Sequence, residues 1–385
     1  MRVKRMRIFL VLSFLFSMVF CADKAPSKID ISLQKEVEHS VIRGLKWLYE
    51  KQEADGSWNH YPAITALVLS ALMKSHPNVT LEDTVIAKGY AYLKSCVQPD
   101  GGIYIDDMKS YNTALAVMAF RDARSMEFTK LIANGQKHLM GAQFNEENGY
   151  TVDSLYYGGV GYGGNDKAPD LSNLQWAMEA IYAQNQSDDR NKTTQESELQ
   201  RAREKFFACA IQFLQRTQNL KKTNDQPYAS NDGGFMYRPG ESKAGETRSY
   251  GGMTYAGLKS FIYANVRKSD ERVQAAANWI KKNYIFSQNP GLGDQGLYYY
   301  YITAAKALNA LGEETVIDAS GNNHQWRKDL AGQILQVQKP DGFWVNENAR
   351  WWENNPVLVT AYCILALEEI AGLPGGTSRE INLFN

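Results

Sequence analysis

The sequence predicts an all-α protein in which six helical hairpins follow one another and close into a ring of twelve helices. Three observations support this prediction. A short motif returns along the 385 residues, each copy joins an amphipathic stretch to a more apolar one, and no strand–helix–strand alternation is visible. Because no hairpin can bury its apolar face alone, the repeats are expected to form one domain with two helix layers around a centre.

The motif is clearest at residues 43–58, where an amphipathic stretch ends in Gln52 and an Asp-Gly turn precedes Trp58. Glycine in such a turn tolerates a positive φ at a helix end. The two longest spacings between copies contain Gly-rich insertions near 157–170 and 219–250. The residues that mark the copies are Gln52, Gln98, Gln143, Gln218, Tyr284 and Gln338.

The helix that follows each turn is rich in Ala, Leu and Val and poor in charge, as expected of a helix shielded on most sides. The first helix of each hairpin is charged on one face, which predicts an outer layer. The six inner helices are predicted at 62–74, 111–122, 172–183, 252–264, 298–311 and 356–370.

The N-terminal residues 1–22 have the pattern of a secretory signal, with a basic start and an apolar run over 8–20. Cleavage is expected near Cys21, and acylation of that cysteine is the alternative. The remainder divides into a linker at 23–35, the ring at 36–372 and a tail at 373–385. An exported, periplasmic or extracellular protein is expected, without a transmembrane segment after signal removal.

The charge balance argues against a nucleic-acid-binding face. The chain has 42 basic and 42 acidic residues, and four of the bases lie among the first seven residues. Without the signal, 38 basic residues therefore face 42 acidic ones. The three cysteines beyond the signal are far apart at apolar helical positions, which predicts buried free thiols at Cys96, Cys209 and Cys363.

The pattern at 43–58, K/R-G-x-x-aromatic-L-x-x-x-Q-x-x-x-G-x-W, resembles the prenyltransferase/squalene oxidase repeat. Squalene and oxidosqualene cyclases share this repeat, as do protein prenyltransferase β-subunits more loosely. The resemblance covers roughly 36–372 and implies an α/α toroid with a central cavity. The motif itself is structural, because its glutamine can bond backbone groups at a helix end, so it says little about chemistry.

The catalytic signatures of that class are missing. The D-x-D-D-T-A run of squalene–hopene cyclases finds its best match at Asp170, but Ser172 stands at the protonating position and Asn173 follows it. The zinc ligands of prenyltransferases are replaced by Val359 and by residues 248–250. Ordinary squalene cyclisation, protein prenylation, a metal site and a cofactor are therefore not expected.

Acidic residues gather in the turns that precede inner helices, and we single out Asp170 and Asp107 as candidate proton donors or bases. Two carboxylates across a cleft could also hydrolyse a glycosidic bond. The alternative is that these acids cap helices and complement helix dipoles. The other members of the set are Asp106, Asp153, Asp166, Glu241, Glu246, Asp294, Glu347 and Glu353.

Aromatic residues collect in the same turns, and the chain has 22 tyrosines and 8 tryptophans. Such side chains can hold isoprenoid chains, stabilise cations or stack on sugars, although packing between hairpins also explains many of them. The glycine run at 158–164 is expected to be a mobile loop at the rim. The residues predicted at the cavity or its rim are His60, Tyr111, Tyr157, Trp176, Tyr255, Tyr299 and Trp352.

These features lead to a hypothesis with two alternatives. The first reading is an exported toroid that binds, and as an enzyme would isomerise or cleave, an apolar isoprenoid-like ligand. The second is a non-catalytic binding or scaffold protein of the cell envelope. The third, which rests only on carboxylates and aromatic residues, is a carbohydrate-active toroid with a glycan ligand.

Overall fold

The computed structural model describes residues 29–75, 79–164, 166–182 and 194–372. The expected signal at 1–22 and the expected tail at 373–385 lie outside these ranges. Among the described residues the helices alternate between an outer and an inner layer. The outer helices are α1 (Ile31–Tyr49), α3 (Thr84–Ser95), α5 (Thr129–Gly141), α7 (Thr194–Thr217), α9 (Glu271–Lys282) and α11 (Trp326–Gln336). The inner helices are α2 (Pro62–Ser75), α4 (Lys109–Asp122), α6 (Leu171–Ile181), α8 (Gly251–Tyr263), α10 (Leu297–Leu311) and α12 (Pro356–Ala371).

The inner helices form a closed ring. Each packs against the next, from α2 to α4 and onward to α12, and α12 packs against α2. Their boundaries lie within two residues of those predicted from composition. The all-α toroid is thereby confirmed. Helix α1 begins at Ile31, so the last part of the segment 23–35 is helical rather than linker.

In four of the six hairpins the repeated glutamine bonds to the following outer helix. The side-chain amide of Gln52 donates to the carbonyl oxygen of Gly56 in its own turn, at 3.0 Å, and to that of Val85 in α3, at 2.7 Å. In the last hairpin the second acceptor is Ser40 of α1, so this bond helps to close the ring. The same pair of bonds is made by Gln143, Gln218 and Gln338. In the second hairpin Gln98 donates instead to the carbonyl oxygens of Cys96 and Tyr104, within its own hairpin.

The fifth hairpin uses a tyrosine instead. Tyr284 stands where the other copies have glutamine, and its hydroxyl donates to Oδ2 of Asp329 in the next outer helix, at 2.9 Å. The connection between neighbouring hairpins is thus kept with a different donor.

The turn glycines are required by close approach to the next outer helix. Gly56 has φ +89°, and an added Cβ would lie 2.5 Å from the carbonyl oxygen of Lys88. Gly342 has φ +97°, and its Cβ would lie 2.8 Å from the carbonyl oxygen of Arg43. A side chain at either position would push a hairpin away from its neighbour.

The glycine run at 158–164 differs from the expected rim loop. Gly158 provides the turn of the third hairpin, because its carbonyl accepts from the Gln143 amide at 3.1 Å. The strand β1 (Gly161–Gly163) follows and pairs antiparallel with β2 (Asp166–Pro169). A second small hairpin joins β3 (Val316–Ile317) to β4 (Asn323–His324).

Two further expectations can be compared with the described residues. The three cysteines among the described residues, Cys96, Cys209 and Cys363, are buried free thiols, as predicted. None of the described helices combines the length and the apolar character that crossing a bilayer requires.

Candidate functional site

A cavity of about 340 Å³ opens at the N-terminal ends of the inner helices. Every inner helix, or the turn before it, contributes to its wall, because the hairpin pattern brings all six of these ends to one side of the ring. Ten of its eighteen lining residues are aromatic. These are Tyr61, Tyr111, Tyr162, Tyr237, Tyr250, Tyr299, Tyr362, Trp176, Trp351 and Trp352.

Four of the seven predicted ligand-binding residues belong to this lining, namely Tyr111, Trp176, Tyr299 and Trp352. The other three lie elsewhere. His60 is exposed, with Nδ1 2.8 Å from Oδ2 of Asp55. Tyr157 is buried beside α7, and Tyr255 packs edge-on against Tyr300 inside the helix layer.

The sequence analysis did not select five of the lining tyrosines. Tyr61 and Tyr250 each stand immediately before an inner helix, so that position is a signal that could have found them. Tyr162 lies in β1 and Tyr237 in the long turn before α8, and neither shows a local pattern. Tyr362 lies inside an apolar helix.

The acidic group in the described lining is Glu353, from the turn before α12. It is 1% exposed. Its Oε1 accepts from the backbone nitrogens of Tyr298 and Tyr299, at 3.0 and 2.8 Å, so this carboxyl caps α10 from a distant part of the chain. Its Oε2 accepts from Nδ2 of Asn346 at 2.8 Å.

Burial raises the pKa of Glu353 to about 7, although the bonds from α10 and Asn346 favour the charged form. A carboxyl group with this pKa holds its proton in a large fraction of molecules near neutral pH. It can therefore give or take a proton inside the cavity under physiological conditions.

The two carboxylates selected from sequence lie outside the described lining. Asp170 is fully buried at the start of α6, where Oδ1 accepts from the Ser172 hydroxyl at 2.5 Å and from the Asn173 backbone nitrogen at 2.9 Å. Burial raises its pKa. Ser172 is the residue that reaches the cavity. Asp107 is exposed, close to Gly164, and the catalytic roles of both aspartates stay predictions.

A buried ionic cluster crosses three inner helices below the aromatic wall. Oε2 of Glu179 in α6 accepts a hydrogen bond from Nζ of Lys259 in α8, at 2.6 Å, and Oε1 accepts one from Nζ of Lys306 in α10. Burial lowers the pKa of Lys259 to about 8, against the attraction of Glu179. Both ammonium groups lie 5.2 Å from the centre of the Trp176 ring. Lone charges in otherwise apolar helices were the available sequence signal.

The rim carries two consecutive tryptophans in an unusual conformation. Trp351 and Trp352 have φ +56° and +63°, a region that bulky residues rarely adopt, and they are 42% and 49% exposed. Trp352 packs edge-on against Tyr61, with ring centres 5.3 Å apart. Surrounding packing must hold this backbone, as is common where side chains are presented to a ligand.

Trp352 also lines a second, more open groove of about 570 Å³ between the first and last hairpins. Trp47 and Asn59 contribute from the first hairpin, and Asn355 from the last. Nδ2 of Asn355 donates to Oδ1 of Asn59 at 3.0 Å, which joins the two turns. Across the described residues, His, Cys, Asp and Glu side chains form no group of three or more suited to a metal ion.

Comparison with known proteins gives a likeness in structure alone. No protein-family model matches the chain, and no curated protein matches its sequence. Among solved structures, the ligand-free type II terpene cyclase MstE from Scytonema is 12% identical, with a TM-score of 0.55 over 88% of this chain and 99% of that chain. A complex of an MstE variant with merosterolic acid A, its product, is 13% identical, with a TM-score of 0.52 over 89% and 99%.

An unsaturated glucuronyl hydrolase specific for heparin is equally similar. It is 14% identical, with a TM-score of 0.56 over 88% of this chain and 97% of that chain. Terpene cyclase and sugar hydrolase therefore share the α/α toroid of this chain. At these identities the likeness establishes the fold, and the site must supply the argument for function.

Proposed function

We propose that this toroid binds an apolar, isoprenoid-like ligand in its central cavity. The observation that carries the proposal is the lining, in which ten aromatic residues from six hairpins surround a volume of about 340 Å³. That volume falls within the range of small-molecule sites, which are lined mostly by apolar and aromatic groups. An MstE variant has been solved in complex with its substrate, geranylgeranyl dihydroxybenzoate. That complex is the reason to choose an isoprenoid from the possible classes of apolar ligand.

The described lining of the cavity carries little charge. Glu353 is the acidic residue in the described lining, and its carboxyl already accepts three hydrogen bonds from protein groups. Hydrolysis of a glycosidic bond usually needs two carboxylates on opposite sides of the sugar. A single buried carboxyl among aromatic rings fits an apolar ligand better than a sugar.

Conversion of such a ligand would use Glu353 as the acid. The neutral carboxyl would transfer its proton to an alkene carbon, and the aromatic faces would stabilise the resulting cation. Loss of a proton from the rearranged ligand to the carboxylate would then restore the acid. The reaction is an isomerisation, because no atom is gained or lost overall. Binding without this step is the non-catalytic form of the same proposal.

Titration with β-farnesene, an isoprenoid hydrocarbon, tests the proposal through the intrinsic fluorescence of the cavity tryptophans. We expect saturable binding, weakened about tenfold by Met253→Gln, because that substitution places an amide against an apolar ligand. Met126→Gln is the matched control, since Met126 is 86% exposed and outside the cavity. Absence of saturable binding, or equal effects of both variants, would contradict the proposal. Product analysis with Glu353→Gln then separates turnover from binding.

The second candidate function is glycan binding, and the open groove beside Trp352 favours it. Exposed tryptophan stacks on sugar rings, and the amides of Asn59 and Asn355 are suited to hydroxyl groups. The same titration with an unsaturated glucuronyl disaccharide distinguishes the two functions. If the sugar binds and the hydrocarbon does not, the glycan proposal stands and the isoprenoid proposal is wrong.

A further inference from the structure

The Tyr299 hydroxyl in the cavity has its hydrogen-bonding role set by neighbouring protein groups. Tyr299 of α10 accepts a hydrogen bond from Nε2 of Gln175 in α6, at 3.2 Å. Gln175 is fully buried, and its Oε1 accepts from the ammonium group of Lys259. An ammonium group can only donate, so the amide must turn its oxygen to Lys259 and its nitrogen to Tyr299.

The ionic cluster holds this arrangement in place. Lys259 is 1% exposed and donates to Glu179 at 2.6 Å as well as to Gln175. Lys306 occupies the other oxygen of Glu179. The carboxylate therefore anchors Lys259, Lys259 orients Gln175, and Gln175 uses the acceptor capacity of Tyr299.

The hydroxyl hydrogen of Tyr299 is left over. The Thr303 hydroxyl on the next turn interacts with the phenol, but its own hydrogen is donated to the backbone carbonyl of Tyr299 at 2.7 Å. Apart from Thr303, no residue in the described part of the chain is placed to accept the phenol hydrogen. The contrast is with Tyr111 and Tyr362, whose hydroxyl oxygens are 3.0 Å apart, so that either can donate to the other. The Tyr299 hydroxyl hydrogen is therefore available to a ligand in the cavity, whereas Tyr111 and Tyr362 can bond to each other.

We propose that Tyr299 is a specificity-determining residue that donates its hydroxyl hydrogen to an acceptor oxygen on the ligand. The ligand class would then be an oxygenated isoprenoid, such as a ketone, ether or ester, rather than a plain hydrocarbon. This inference rests on the proposed binding function and adds a polar group to the ligand. A hydrocarbon in the same place would leave a desolvated hydroxyl donor without a partner, which costs affinity.

The test uses farnesylacetone, an isoprenoid methyl ketone, and the hydrocarbon of the same skeleton with a methylene in place of the carbonyl. We expect the unmodified protein to bind the ketone about five- to tenfold more tightly. Tyr299→Phe should abolish that preference by weakening ketone binding at least fivefold more than hydrocarbon binding. Tyr255→Phe, in a buried tyrosine outside the lining, should retain the preference.

The outcomes separate this inference from the proposed function. If the hydrocarbon binds but the ketone has no advantage, or if Tyr299→Phe weakens both ligands equally, the role of Tyr299 is wrong and the apolar cavity stands. If neither ligand binds, both proposals fail. Gln175→Leu provides a second check, because it frees the Tyr299 hydroxyl to reorient and should reduce the preference without removing the phenol.

Discussion

The first and last hairpins share the same tryptophan contacts, which we call the frame, and differ in the length of the turn before the inner helix. In the first, the backbone nitrogen of Trp58 donates to the Thr65 hydroxyl, seven residues on, at 2.9 Å. In the last, Trp344 donates to Thr360 at 3.0 Å, but the two are sixteen residues apart. Both indole nitrogens donate to a carbonyl of the preceding outer helix, at 2.7 and 2.8 Å.

The extra length of the last turn contains much of the candidate site. Trp351, Trp352 and Glu353 all lie in it and all line the cavity, whereas the short turn of the first hairpin supplies Tyr61 and leaves His60 exposed. The frame and the site are therefore separable. The repeat specifies how hairpins stack, and the length and composition of individual turns determine what the cavity contains.

The largest effects are expected in the shared frame. Trp58→Ala and Trp344→Ala should each lower the free energy of unfolding by about 3–5 kcal/mol, because each removes a fully buried ring together with the indole hydrogen bond to a helix carbonyl. Urea unfolding followed by circular dichroism measures both. A difference of more than about 2 kcal/mol between the two variants would show that the frames are not equivalent.

A smaller effect distinguishes the last turn through its pH dependence. The pKa of Glu353 is about 7 in the folded protein and near the ordinary glutamate value in the unfolded chain, so the folded state binds more protons between about pH 4.5 and 7. Stability from this group is therefore complete below about pH 4.5 and is lost as the pH rises through 7. The expected loss is about 3 kcal/mol.

Urea unfolding at pH 5 and pH 8 measures this change, and Glu353→Gln should remove it. Glu347→Gln, an exposed carboxyl in the same turn, is the matched control and should retain the full dependence. A Glu353→Gln variant with an unchanged pH profile would show that another group titrates. The first hairpin provides no equivalent, since its turn before α2 carries no buried carboxyl.

The smallest effect on stability is expected at the rim. Trp352→Ala should change the free energy of unfolding by less than about 1 kcal/mol, because half of the ring is already exposed. Its effect should fall on ligand affinity, measured by the same fluorescence titration. A large loss of stability would place Trp352 in the frame instead of the site.

The fold could be predicted from sequence because the inner helices are recognisable by their apolar, charge-poor composition. Helix α12, for example, carries no charged residue before Glu368, which is typical of a helix shielded on most sides. The repeated glutamine and glycine then mark where each hairpin turns. The third hairpin was less clear, because an insertion separates Gln143 from the glycine that completes its turn, Gly158.

The site was harder because it depends on where turns end in space. Tyr255 looks like a cavity residue by type, but its position on α8 directs it toward α10. Glu353 was one of ten acidic residues in similar turns, and only the path of the last turn places it over the N-terminus of α10. Glu179, Lys259 and Lys306 each stand out as a charge in an apolar helix, but their pairing across three helices cannot be inferred from the local sequence.

The seam between the first and last hairpins has a consequence for biosynthesis. The Ser40 hydroxyl donates to Gln338 at 2.8 Å, and Arg43 donates to the carbonyl of Lys339 at 2.9 Å, across nearly 300 residues. A ribosome makes α1 first and its partner α12 last. The apolar face of α1 around Val41 and Leu45 therefore stays uncovered through most of translation, and a nascent chain that stalls before the final hairpin presents that face to chaperones.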